Sequence, residues 1–370
     1  MDRRETVRIL RAIREAAQAG QRVALATVVR VHGSAYRREG ARVVVKEDGS
    51  YECLLSGGCL EPAVAAAAAR VIATGEPVIA AYDLEEDSVL GLGMGCSGAV
   101  DIRIERVEDD PVTSAWLDVL ERADEAVLVT PLAGASGRLL VREAGGVLGE
   151  LSDSALQSAA AADARARLTS GSWYSSAERI GSAELFFEVS ERPSRLVVFG
   201  AGADVAPLAA LGVELGFEVV VVDVRDAFLS AARFPGVSRV CSHFSRFAEL
   251  VALDARSYVV VMNHHLERDA ESLRFALESE VPYIGVLGPR SRYFKLLDGL
   301  KRQGYSPTMA AKLRVRSPVG LALGAEAPEE IAVSILGEIL AIQRGFAGGF
   351  LNGREASLHR PAVSRSMARS

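Results

Sequence analysis

Residues 195–224 read RLVVFGAGADVAPLAALGVELGFEVVVVDV. A β-branched apolar run ends in Gly200-Ala201-Gly202, a helix-forming segment follows, and Gly216 returns the chain to a second apolar run closing on Asp223. Strands that lack polar alternation are buried on both faces, as in a parallel sheet covered by helices. The alternation continues through SYVVVMN at 257–263, a helix around Ala270 to Leu277, and PYIGVL at 282–287. This half therefore reads as a Rossmann-like domain with a parallel sheet.

The turn itself carries chemistry. Gly200 and Gly202 permit a tight bend and close approach of a phosphate to backbone N–H groups, and Asp223 ends the next strand, where a carboxylate can accept hydrogen bonds from ribose hydroxyls. Val205 stands where the dinucleotide fingerprint places a third small residue. The two readings are a nucleotide at the Rossmann turn and a plain strand-to-helix bend. Asn263-His264-His265, at the end of another strand, reads as a polar loop whose Asp269 caps the following helix, and no metal is assigned there.

Upstream the periodicity changes. Thr6 to Ala19 predicts an amphipathic helix ending at Gly20, Val23 to Val31 a strand, and Asp48-Gly49 the turn of a hairpin. Pro62 opens a helix that stops at Gly75, and strands follow at Val78 to Tyr82, Ala99 to Arg106 and Ala126 to Thr130. Ser152 to Ala166 reads as a helix and Leu185 to Val189 as a strand; beyond the strands of the Rossmann-like half Pro328 to Gln343 reads as a last helix. The fold class is α/β, with a mixed α+β domain over 1–192, a Rossmann-like domain over 193–345 and a polar tail over 346–370 expected to be disordered. No repeat is visible in the sequence.

Composition narrows the function. Hydrophobic residues make up 49% and charged residues 24% of 370, the globular range. With 42 Lys+Arg against 48 Asp+Glu, net −6, a nucleic-acid partner is not expected. The N-terminus has no apolar core of a signal peptide and no run spans a bilayer, so the expected location is the cytoplasm, without a membrane partner. Four cysteines, Cys53, Cys59, Cys96 and Cys241, form no C-x-x-C pair and suit free thiols rather than a disulfide framework.

Three glycine loops stand out before residue 100. Gly33-Ser34-Ala35-Tyr36-Arg37 offers a guanidinium able to fork onto an anion. Ser56-Gly57-Gly58-Cys59-Leu60-Glu61 puts a thiol at a helix N-terminus, where thiolate is favoured. Gly91-Leu92-Gly93-Met94-Gly95-Cys96-Ser97-Gly98 spends four glycines in eight residues around a second thiol. Each cysteine alone suits a small buried residue; together, Cys59 and Cys96 beside Arg37 equally suit a soft-metal, sulfur or anion site.

At these residues the sequence resembles the XdhC/CoxI family. The stretches GSAYRREGARVVV, LLSGGCLEP and GLGMGCSG in the first half, and VVFGAGADVAPLAALGVELGFEVVVVDVR, RFPG, PYIGVLGPR and PVGLALGAEAPEEIAVSILGEI in the second, carry the resemblance across most of residues 20 to 345. It implies an accessory chaperone, without catalysis of its own, that transiently binds molybdenum cofactor, supports its sulfuration with a cysteine desulfurase and hands it to an apo molybdenum hydroxylase of the xanthine dehydrogenase type. The cofactor-handling residues would be Arg37, Gly57, Gly58, Cys59, Gly95 and Cys96, with Cys59 and Cys96 as metal ligands, and Gly200, Gly202 and Asp223 around any nucleotide. A homodimer is expected. The alternative is an NAD(P)-dependent oxidoreductase using the Rossmann domain. One departure from the family is Ala203, which stands where a histidine is common, followed by Asp204, which disfavours a pyrophosphate.

Overall fold

The computed structural model describes residues 3–33, 35–84, 98–143, 146–170 and 174–352. Two compact units part between Arg192 and Pro193.

The first unit opens with α1 (Arg3–Gln18), which buries Ile9, Leu10, Ala12, Ile13 and Ala16 along one face. β1 (Val23–Gly33), β2 (Arg42–Lys46) and β3 (Tyr51–Glu52) form an antiparallel meander. The Asp48-Gly49 turn between the last two is built as the sequence suggests: Gly49 has φ +82°, and Asp48 accepts from the Ser50 N–H at 2.9 Å. α2 (Glu61–Thr74) carries proline in its first turn and ends on left-handed Gly75, whose N–H bonds to Val71. β4 (Val78–Asp83) then pairs with β5 (Gly98–Arg106), which lies beside β1. The sheet order is β3-β2-β1-β5-β4, and α2 covers one face of it over a core of Ala24, Val28, Val43, Val64, Ala68 and Ile102.

The same series then runs again. α3 (Pro111–Arg122) leads into β6 (Ala126–Ala133), β7 (Gly137–Arg142) and β8 (Val147–Leu151), then α4 (Ser154–Ser170), β9 (Ser176–Ile180) and β10 (Ala183–Ser190). The second sheet has the order β8-β7-β6-β10-β9, again antiparallel throughout. Helix for helix and strand for strand this is the topology of the first sheet, so the unit is a structural duplication although no repeat is legible in the sequence. The reason is physical: the pattern of apolar positions specifies each strand, and many side chains satisfy one pattern.

Polar side chains join the two repeats. Arg42 of β2 ion-pairs with Glu188 of β10, with side chains only 3% and 7% exposed, and its guanidinium lies 5.6 Å from the ring centre of Trp116 on α3. Arg30 of β1 reaches both Asp101 of β5, at 2.6 Å, and Glu184 of β10, at 2.7 Å.

The second unit contains β11 (Arg195–Phe199), α5 (Val205–Glu214), β12 (Glu218–Asp223), β13 (Ser238–Cys241), α6 (Phe247–Leu250) and β14 (Ser257–Val261). It continues through α7 (Leu266–Leu277), β15 (Tyr283–Val286), α8 (Arg290–Arg302), α9 (Met309–Leu313), β16 (Val315–Arg316) and α10 (Pro328–Gln343). All six strands are parallel, in the order β13-β12-β11-β14-β15-β16. This is the doubly wound order, which reverses between β11 and β14 and leaves a crevice at their carboxyl ends. α5 and α10 pack on one face, α7 and α8 on the other. Of the expected tail, 346–352 forms neither helix nor strand and 353–370 lies outside the described residues. Among the described residues no helix is long and apolar enough to cross a membrane.

Candidate functional site

In the first repeat the glycine loops leave one end of one sheet. Gly33 at the end of β1 is paired with Gly98 at the start of β5, Asp83 at the end of β4 with Ala99, and the Leu84 N–H bonds to the Gly98 carbonyl at 2.9 Å. β3 is antiparallel to β2 and so parallel to β1, which sends the chain after it toward the same end. Ala35, Leu55, Leu60 and Leu84, the apolar anchors of the three connections, belong to one core cluster. The second repeat supplies an internal control. Where the first repeat spends 34–41, 53–60 and 84–97 on these connections, the second closes the same topology with 134–136, 152–153 and 181–182. The fold does not require the longer loops. Gly95 and Cys96 lie outside the described residues.

The Cys59 loop is held by a polar clamp that the sequence reading missed. Ser56 is fully buried; its hydroxyl donates to Glu61 at 2.7 Å and accepts from the N–H groups of Gly58 and Leu60. The other oxygen of Glu61 accepts from the N–H groups of Leu55, at 2.7 Å, and Ser56, at 2.8 Å. Burial alone would raise the Glu61 carboxyl, but the hydrogen bonds from Ser56 and the backbone prevail and hold it below the ordinary glutamate value. The visible signal was a serine and a glutamate flanking the glycine pair. Gly58 has φ +110° and nothing within 4 Å of where a side chain would start, nor has Gly57, so the space above this turn is open. Cys59 is exposed in it, immediately before α2.

Arg37 is committed differently from the expectation of a free anion fork: both its terminal nitrogens bond to the carboxylate of Glu5 on α1, Nη1 at 2.9 Å. The thiol that feels its charge is Cys53, a buried residue with φ +73° whose sulfur donates to the Glu5 carbonyl. Burial is the largest influence on Cys53 and, with Glu5 and Glu52, outweighs Arg8 and Arg37, pushing the thiol up. It is a neutral structural cysteine.

In the second unit the glycine turn meets the end of β14. A methyl group on Gly200 would lie 2.3 Å from the Met262 carbonyl oxygen, so the close approach of two backbones requires glycine there. Val205 is fully buried in the core, which accommodates its bulk. Asp223, also buried, turns back to the Ala201 N–H at 2.8 Å and holds Arg225 through three further bonds. Burial works against its charge, but Arg225 and the backbone donors keep the carboxyl below the ordinary aspartate value. Asp269 is not the cap of its own helix. It reaches back to the Asn263 N–H at 2.9 Å and pairs with Arg292 of α8, fixing the strand end. His264, with φ +56°, bonds through Nε2 to Asp204 at 2.8 Å, a pair across the switch point that the sequence reading did not foresee. Among the described residues no group of three or more His, Cys, Asp or Glu side chains is set to hold a metal.

Comparison with known proteins adds the following. Residues 16–83 match the model of the XdhC and CoxI family, and residues 196–339 that of the XdhC Rossmann domain. A probable xanthine dehydrogenase subunit from Bacillus subtilis is 31% identical over 87% of this chain and 94% of its own. The molybdenum cofactor insertion chaperone PaoD from Escherichia coli is 25% identical over 90% of this chain and 88% of its own. A crystal structure described as a xanthine dehydrogenase from Bacillus halodurans aligns with a TM-score of 0.75 at 29% identity, covering 91% of this chain and 96% of the other.

Proposed function

The chain belongs to the XdhC and CoxI family, and on that premise we propose that it is a cytoplasmic accessory factor of a molybdenum hydroxylase. It receives molybdenum cofactor as cargo, supports exchange of an oxo for a sulfido ligand with sulfur supplied by a cysteine desulfurase, and passes the product to the apo-hydroxylase. Chemistry on the hydroxylase substrate belongs to the partner.

The observation that carries this reading is the contrast between the repeats: three glycine loops, one presenting an exposed thiol on a hydrogen-bonded clamp, where the duplicate closes with short turns. Glycines at 57, 58 and 95 let a bulky ligand approach backbone N–H groups, and the sulfur atoms of Cys59 and Cys96 suit a soft metal or its sulfur. Arg37 would meet the anionic end of the cargo by exchanging its bonds to Glu5 for new ones. The second unit holds a nucleotide at the Gly200–Gly202 turn, with Asp223 fixing the turn. The name of PaoD, an insertion chaperone alignable along nearly the whole chain, supports the same assignment.

The test is metal and pterin analysis of the full chain purified from cells that make molybdenum cofactor, beside the Cys59→Ser, Cys96→Ser double variant. Bound molybdopterin and support for sulfuration are expected in the first and lost in the second. Full retention of both in the double variant would overturn the assignment of the thiols.

A further inference from the structure

The crevice of the second unit carries a rim that no part of cofactor transfer uses. Downstream of β12, Arg225 lays its guanidinium 4.0 Å from the ring centre of Phe228, and Arg233 approaches the same ring at 5.3 Å. Arg233 also donates to the carbonyls of Phe228, at 2.8 Å, Ala201, at 3.0 Å, and Gly202, at 3.2 Å. This loop is thereby tied to the glycine turn and preformed, with Phe228 37% exposed between two arginines.

Asp223 occupies the position from which a carboxylate takes ribose hydroxyls in this topology. A carboxylate has roughly four lone-pair sites. Here Oδ1 accepts from the Arg225 N–H and Nε, and Oδ2 from the Ala201 N–H and the Arg225 Nη2, so none remains for a diol. Arg225, whose side chain is 37% exposed, uses only Nε and one Nη2 hydrogen in these bonds and has Nη1 without a partner among the described residues. Asp204, which would repel phosphate at the turn, is directed onto His264. Donors remain at the rim while the acceptors are consumed.

We propose that this rim selects an adenosine-type nucleotide carrying a phosphate on the ribose 2′ oxygen over one with a free ribose diol. The inference rests on the reading that the second unit holds a nucleotide at its glycine turn. The phosphate meets Nη1 of Arg225, and the base stacks along the outer face of the same guanidinium, whose inner face is supported by Phe228.

Calorimetric titration of the full chain with adenosine 2′,5′-bisphosphate against 5′-AMP, with NADP against NAD, and with inorganic phosphate alone tests this. The 2′-phosphorylated member of each pair is expected to bind at least about tenfold tighter, the scale of one charge-assisted hydrogen bond. Arg225→Gln should reduce that preference to about twofold or less, and Arg225→Lys, which keeps the charge and loses the fork, to an intermediate value. The wild-type comparison decides the matter even if a variant fails to fold. Equal or tighter binding of 5′-AMP and NAD overturns the selectivity and leaves the nucleotide reading standing. Absence of binding by all four nucleotides removes both. Inorganic phosphate binding as tightly as the bisphosphate overturns the assignment to a nucleotide.

Discussion

Single atoms decide the two turns on which the candidate sites rest. At Gly200 a methyl group would collide with the backbone of Met262, at 2.3 Å from its oxygen, whereas at Gly58 it would meet open space. Both glycines have positive φ. Gly58→Ala is therefore expected to cost only the backbone term of about 1 kcal/mol, and Gly200→Ala roughly 3 kcal/mol or more, since strain and overpacking add; urea unfolding monitored by circular dichroism separates the two. Glu61 gives a pH test. Its folded pKa lies below the ordinary 4.5, so the charged clamp contributes its full stability above that value and loses it as pH falls from 4.5 through the folded pKa. Glu61→Gln keeps an acceptor for the Leu55 and Ser56 N–H groups but sets its amide NH2 against the Ser56 hydroxyl, which already accepts twice, and is expected to lower stability by about 1–3 kcal/mol near neutral pH. The gap to wild type should narrow in acid, and a gap that is constant with pH would show that the charge is not what holds the loop.

At the level of elements, the duplicated topology separates what folds from what functions. Because β9 and β10 are joined by 181–182 where β4 and β5 spend 84–97, replacing 85–97 by an Asn-Gly turn should preserve the first sheet and abolish pterin binding. Shorter closure is expected to raise unfolding stability by about 1–2 kcal/mol, and a loss of folding would mean that the loop is structural. The join between the repeats is the other sensitive element. Arg42→Met leaves Glu188 buried without its partner and should cost about 3–5 kcal/mol, while Arg42→Met with Glu188→Leu should recover most of it. Equal destabilisation by the single and double variants would remove the ion pair as the cause.

For the whole molecule, the decisive number is four cysteines. An iron–sulfur cluster held by cysteine alone takes four thiolates, so these four could complete one such centre at most. On the accessory reading proposed above, the purified protein is expected not to oxidise xanthine or a similar heterocycle by itself, and its effect should appear in trans. Co-expression with an apo-hydroxylase should raise the active, sulfurated fraction, and deletion should leave that enzyme folded and inactive. Unchanged hydroxylase activity in the deletion strain, with no paralogue present, would contradict the accessory role.

The two apolar runs 196–199 and 219–222, set apart by a glycine turn and a helix, made the parallel sheet legible in the sequence, because burial on both faces leaves a local signature in each strand. The caps at Pro62 and Gly75 and the Asp48-Gly49 turn were legible for the same reason: their physics lies within a few residues. The loop chemistry was visible as composition, glycines around thiols, but not as geometry. Only the tertiary structure revealed that one sheet topology occurs twice, that Arg37 faces Glu5, that Asp223 spends its lone pairs on Arg225 and Ala201, and that His264 meets Asp204 from sixty residues away. Each depends on which side chains packing brings together across the chain, and a partner distant in sequence leaves no periodic trace in the residues beside it.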